Sequence, residues 1–125
     1  MARIMVVDDS RTVRTSMEYL LKNNGYEVFT ADDGADGLKK VSERIAAGQK
    51  PDLIITDINM PNMGGLDFIR NLKANMSTKF IPVLILTTES QESMKMEGKK
   101  AGAAGWIVKP YQPEQLVAVV KRFIR

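Results

Sequence analysis

An apolar run that ends on an acid, Leu53-Ile54-Ile55-Thr56-Asp57, constrains the fold of this chain more than any other stretch. Leu53 to Ile55 have no polar residue among them and follow Pro51, the pattern of a short strand buried on both faces. Such a strand belongs in a parallel sheet with helices on each side. Asp57 stands where that strand leaves the sheet, and open parallel sheets bind their ligands at the carboxyl ends of their strands. Four more apolar runs repeat the pattern: Ile4–Val7, Tyr26–Ala31, Pro82–Thr87 and Trp106–Lys109.

Segments of helical period fill the gaps. A first helix is predicted from about Arg11, with Val13, Met17, Leu20 and Leu21 inward and Gly25 as its stop. Asp33 is placed to cap a second, which turns Leu38, Val41 and Ile45 inward and ends at Gly48. Gly64-Gly65 turns into a third with Leu66, Ile69 and Leu72 inward, and Pro113 opens a fifth carrying Leu116, Val117, Val120, Phe123 and Ile124. The fourth, from about Ser90, has few apolar anchors beyond Met94 and Ala101, and Gly98 in its middle costs about 1 kcal/mol relative to alanine. Five strands alternating with five helices predict an α/β fold: a five-stranded parallel sheet, doubly wound through right-handed crossovers. A chain of 125 residues is expected to form one domain over 1–125.

Composition narrows the chemistry. The chain has neither cysteine nor histidine, which rules out disulfides, thiol chemistry, thiolate-bound zinc and His-based acid–base catalysis. No run is long enough to span a membrane, and Met1-Ala2-Arg3-Ile4 leads straight into a strand, so a cytoplasmic location is expected. The net charge of +3 is uneven: residues 1–75 hold ten Lys/Arg against eleven Asp/Glu, and 76–125 hold eight against four. The basic part lacks a strip of interleaved aromatic and basic residues, so a solvated basic face or a dock for an acidic partner is expected rather than nucleic acid.

The polar residues that close the strands fall on one edge of the predicted sheet. Asp8 and Asp9 follow the first strand and Asp57 the third, while Thr87 and Thr88 close the fourth and Lys109 the fifth. With the first and third strands adjacent, as in the common doubly wound order, three carboxylates crowd together and repel by about 1 to 4 kcal/mol per pair at about 4 Å. A hard divalent ion such as magnesium suits a carboxylate cluster without His or Cys, and Lys109 adds further positive charge. A carboxylate beside a metal, a lysine and a hydroxyl is equipped to attack phosphorus and form an aspartyl phosphate.

Four motifs carry a family resemblance. Val6-Val7-Asp8-Asp9-Ser10, Ile54-Ile55-Thr56-Asp57-Ile58-Asn59-Met60-Pro61 with Gly64-Gly65, Leu84-Ile85-Leu86-Thr87, and Trp106-Ile107-Val108-Lys109-Pro110 resemble the receiver domain of two-component response regulators, over essentially the whole chain. The resemblance implies a flavodoxin-like (βα)5 sheet of order 2-1-3-4-5. It implies Asp57 as phosphoacceptor, with Mg2+ held directly by Asp9 and Asp57, through water by Asp8, and by the backbone carbonyl of Asn59. It also implies Lys109 on the phosphoryl group, Thr87 as the switch hydroxyl, and a cis Lys109-Pro110 bond.

Asn59 and Glu89, at positions that tune dephosphorylation in the family, resemble the stand-alone chemotaxis receivers of the CheY type, as does a chain that stops with the fifth helix. That resemblance implies a CheA-like histidine kinase as phosphodonor, a FliM-like flagellar motor switch protein as target, and a phosphatase as a further partner. The chain itself would be no enzyme beyond assisting its own phosphorylation and dephosphorylation. The target-binding face, made by the fourth helix, fifth strand and fifth helix, would include Lys95, Lys99, Trp106 and Lys121. Two positions depart from the pattern: Trp106 stands where tyrosine or a smaller aromatic is usual, and Thr88 where alanine or glycine is usual, next to the switch threonine. The alternative within the family is a phosphorelay intermediate or an adaptor in a non-flagellar pathway. Outside it, a flavodoxin-like cofactor carrier conflicts with Asp8-Asp9, which would repel a phosphate, and an aspartyl phosphatase would want an acid where Asn59 stands. A metal-independent docking module would require the acidic site to be vestigial.

Overall fold

The computed structural model describes residues 1–124. Strands and helices alternate as β1 (Arg3–Val7), α1 (Arg11–Asn23), β2 (Glu27–Ala31), α2 (Gly34–Ala46), β3 (Leu53–Thr56), α3 (Gly65–Ala74), β4 (Val83–Thr87), α4 (Glu92–Ala101), β5 (Gly105–Val108) and α5 (Pro113–Phe123). All five strands are parallel, in the order β2-β1-β3-β4-β5, so β1 and β3 are neighbours at the centre of the sheet. No helix among the described residues is long and apolar enough to cross a membrane.

The continuous apolar runs hide a period of two, which sorts their side chains onto two faces. Met5, Val7, Ile54, Val83 and Ile85 pack on one face against Val41 of α2 and Phe68, Ile69 and Leu72 of α3. Ile4, Val6, Leu53, Ile55, Leu84 and Leu86 pack on the other against Met17 and Leu21 of α1 and Leu116 and Val120 of α5. Every residue of β3 and β4 is buried, as a central strand covered on both sides requires. One expected core position differs, and one core ring is not among those expected. Val117 lies one helical step off the Leu116–Val120 line and borders a surface groove, while Val119 packs inward in its place beside the expected Phe123. In α3, Leu66, Ile69 and Leu72 pack on the core as expected, and the fully buried ring of Phe68 joins them in the space that Gly37 of α2 leaves.

Local chemistry sets the helix ends. Ser10 Oγ accepts a hydrogen bond from the Val13 N–H at 3.2 Å, and Asp33 Oδ1 accepts from the Asp36 N–H at 2.8 Å, so both residues act as N-caps. Gly25 and Gly48 follow α1 and α2 with φ of 90° and 74°, the left-handed step that ends a helix and that glycine takes without strain. Beyond capping α2, Asp33 accepts from the Asn62 side chain at 2.7 Å, and its carboxyl is held below its ordinary value of 3.8 by the Asp36 N–H first and by Asn62 next. A carboxylate whose folded-state value is lowered adds stability that is complete above the unfolded-state value and lost as pH falls through the folded one. The urea-unfolding gap between this chain and Asp33→Asn should therefore be constant near neutral pH and close as the pH drops below 3.8.

Gly98 has a packing reason that outweighs its cost to the helix. A Cβ there would sit 2.8 Å from Trp106 Cζ3 and 2.9 Å from Ile85 Cδ1, so α4 approaches the sheet closely enough to hold the indole only through a glycine. Helix propensity alone would make Gly98→Ala stabilising by about 1 kcal/mol. We expect the opposite, a loss of about 1 to 3 kcal/mol from overpacking, read by urea unfolding and recovered when Trp106→Phe is added.

Candidate functional site

The site is built by residues just past the strand ladders, each still pinned by the neighbouring strand. The Asp8 N–H donates to the Ala31 carbonyl at 3.2 Å, the Asp57 N–H to Val7 at 3.0 Å, and the Lys109 N–H to Thr87 at 2.7 Å. These bonds fix where the side chains start. The carboxylate oxygens of Asp8, Asp9 and Asp57 come within 4.8 Å of one another. Asp8 is buried, Asp57 half-buried and Asp9 exposed, so the cluster opens to solvent on the Asp9 side. Lys109 Nζ donates to Asp8 Oδ2 at 2.8 Å and to Asp57 Oδ2 at 3.3 Å. The Lys109-Pro110 peptide is cis, as the family resemblance implies.

Hydrogen bonds hold the remaining atoms of the cluster. Asp57 Oδ1 accepts from the Ile58 N–H at 2.6 Å, and Asp8 Oδ1 from the Ser10 N–H at 2.9 Å. Burial by itself would pull the Lys109 ammonium down, but its hydrogen bond to Asp8 and the charges of Asp8 and Asp57 more than offset that and raise it above 10.5. Lys109 is therefore charged at neutral pH. One ammonium against three carboxylates leaves two negative charges, carried by oxygen donors with no nitrogen or sulfur ligand nearby, and that donor set fits a hard divalent cation.

A second group sits one strand over. Thr87 is fully buried, and its Oγ1 accepts from the Glu89 N–H at 3.3 Å. The Glu89 carbonyl accepts from Trp106 Nε1 at 3.0 Å, while its carboxylate takes the Gln91 N–H at 3.1 Å at the start of α4. Thr88 and Asn59 are both exposed. On the flank, Lys95, Lys99 and Trp106 line a groove of about 230 Å³ with Ala103, Ala104 and Gly105. Lys95 lies 3.6 Å from Glu92, whereas Lys99 makes no ion pair among the described residues. Lys121 is not in that groove; it borders a second one of about 420 Å³, between α1 and α5, with Leu20 and Val117.

Three contributors are absent from the reading of the sequence. Arg14 donates through Nη1 to the Asp8 carbonyl at 2.5 Å, the Tyr111 hydroxyl donates to Met17 Sδ at 3.0 Å, and Thr56 Oγ1 donates to the Asp57 carbonyl at 2.8 Å. Ser10, Arg14 and Met17 recur at i, i+4 and i+7, one face of α1 turned toward the site. That spacing was available in the sequence, but it marks a core-facing stripe equally well.

A family model described as the response regulator receiver domain matches residues 4–121. Protein PilH of Pseudomonas aeruginosa is 38% identical over 120 residues, covering 96% of this chain and 95% of PilH. The phosphate regulon transcriptional regulatory protein PhoB of Escherichia coli is 34% identical over 123 residues; this chain spans about half of its length, 52%. The solved structure of the chemotaxis protein CheY4 of Vibrio cholerae superposes with a TM-score of 0.89 at 42% identity, covering 99% of each chain. With the motifs at their strand ends and the match running through all but the edges of the fold, the chain belongs to the family of response regulator receiver domains.

Proposed function

We propose that Asp57 accepts a phosphoryl group from a histidine kinase in a magnesium-dependent reaction, and that phosphorylation alters the face made by α4, β5 and α5 so that it binds a target. Family membership makes this the receiver domain of a two-component system, a signalling domain rather than a classical enzyme. The observation that carries the proposal is Lys109 Nζ standing between Asp8 and Asp57 while Asp9 completes the carboxylate cluster. Asp57 Oδ1 is engaged by the Ile58 N–H, which leaves Oδ2, beside Lys109, to form the bond to phosphorus as the donor's own bond to phosphorus breaks. Asp9, Asp57 and the Asn59 carbonyl, with Asp8 through water, would hold Mg2+, which when bound neutralises charge on the phosphoryl oxygens. Lys109 neutralises the rest.

Thr87 Oγ1 accepts from Glu89 here, so its hydroxyl proton is available to a phosphoryl oxygen on Asp57. Turning that hydroxyl toward the site would pull on Glu89, and the Trp106–Glu89 bond would carry the movement to β5 and α4. The groove beside Lys95, Lys99 and Trp106 suits an acidic amphipathic segment, and the chain's likeness to CheY4, a chemotaxis protein, supports a chemotaxis pathway in the cytoplasm; within it we take a flagellar motor switch protein as the target. Lys121 borders the separate groove between α1 and α5 and stands apart from this contact. A second reading, an adaptor or phosphorelay receiver in a non-flagellar pathway, draws support from the likeness to PilH.

Intact mass after incubation with acetyl phosphate tests the chemistry. The chain should gain one phosphoryl group only when Mg2+ is present, and Asp57→Asn should gain none. Thr88, exposed next to Thr87, is expected together with Asn59 and Glu89 to set how fast water reaches the phosphoryl group. Thr88→Ala should lose the group several-fold faster in a time course of phosphorylated protein, and an unchanged rate would remove Thr88 from that role.

A further inference from the structure

The loop from Asp57 to Gly64 carries the phosphoacceptor at one end, and its far end is fastened to a different part of the molecule. The Gly34 N–H, at the start of α2, donates to the Met63 carbonyl at 3.0 Å, and a Cβ on Gly34 would lie 2.7 Å from that same oxygen. Asn62 Nδ2 donates to Asp33 Oδ2 at 2.7 Å, with Asn62 held in the left-handed region at φ 65°. Asp33 is 7% exposed, and its other oxygen is taken by the α2 cap. A buried carboxylate thus serves a helix and a neighbouring loop at once.

The connection closes a ring. Asp33 follows β2 by two residues, and the last residue of β2, Ala31, accepts the N–H of Asp8. From Asp8 the path runs through Ala31 to Asp33, across to Asn62, and back along the loop past Asn59 to Asp57. Asp57 in turn donates its N–H to Val7, the residue before Asp8. Within the loop, the Gly65 N–H donates to Ile58 at 2.8 Å, so the segment holding Asn59 is tied at both ends.

We propose that Asp33 and Asn62 are positioning residues: without a hydrogen bond to the acidic cluster themselves, they hold the Asn59 segment against it and thereby set its affinity for a divalent cation. The inference rests on the reading that Asp8, Asp9 and Asp57 bind such a cation, and it adds the pair that fixes the geometry. Groups that orient metal ligands from outside typically alter metal affinity by about 10- to 100-fold when removed.

The test is Mn2+ binding by electron paramagnetic resonance on the full chain, without any phosphodonor. Asn62→Gly keeps the left-handed backbone and removes the side-chain donor, whereas Asp33→Ser keeps a cap for α2 and is too short to reach Asn62. Each should weaken Mn2+ binding about tenfold or more, the double variant should be no weaker than the weaker single, and Asp33→Asn, paired with a turned Asn62 amide, should recover most of the affinity. Singles that bind Mn2+ as tightly as the natural chain would overturn the positioning role alone. A natural chain that binds no Mn2+, or an Asp57→Asn variant that binds it unchanged, would overturn the cation site and this inference with it. If Asp33→Ser does not fold, Asn62→Gly decides the matter, because it leaves the α2 cap intact.

Discussion

Charge balance at the carboxyl edge of the sheet is the constraint on which the rest depends. Three carboxylates end adjacent strands, and Lys109, only 16% exposed at its side chain, reaches two of them from the far end of the chain. Gathering these groups in a poorly solvated place does not stabilise the fold, since desolvating charges costs about as much as pairing them returns. The two apolar faces hold them there. Ile54, Leu53, Val83 and Leu84 are fully buried, and the backbone bonds from Asp8, Asp57 and Lys109 to neighbouring strands fix where their side chains start. A residual negative charge on a rigid frame is a standing demand for a cation.

The same frame separates a densely packed part from a thinly anchored one. β1 and β3 lie at the centre of the sheet and carry the carboxylates, whereas β5 is an edge strand backed by α4, whose own apolar anchoring is thin. Thr87 joins the two, as the last residue of β4 and the acceptor for the Glu89 N–H. The Trp106 indole closes the path with its bond to the Glu89 carbonyl and its seat against Gly98. A thinly anchored helix, reached from the site through Thr87, Glu89 and Trp106, is where a small change at the site would have most leverage on the surface.

The strand ends, and therefore the site's chemistry, were legible in the residues. Apolar runs that stop on Asp8, Asp57, Thr87 and Lys109 place those side chains on one edge under any right-handed parallel topology, and the lack of His and Cys restricts what they can bind. Asp33 as a cap and Gly25 and Gly48 as stops follow from local backbone chemistry alone. The order of the strands, by contrast, came from family resemblance, because periodicity says which residues are buried and not which strands touch.

What packing decided lies between residues distant in sequence. Lys109 meets Asp8 across 101 positions and Asp57 across 52, and Asn62 meets Asp33 across 29. Gly98 reads as a weak point of its helix until the Trp106 ring is seen against it, and Val117 reads as core until the turn of α5 sets Val119 inward instead. By itself the sequence determined the elements, the groups at their ends and the chemistry available to them, because these depend on local periodicity and residue type. Only the tertiary structure decided which glycine makes room, which loop is clasped and which lysine joins which groove, because each is settled by the shape of a partner that local sequence does not contain.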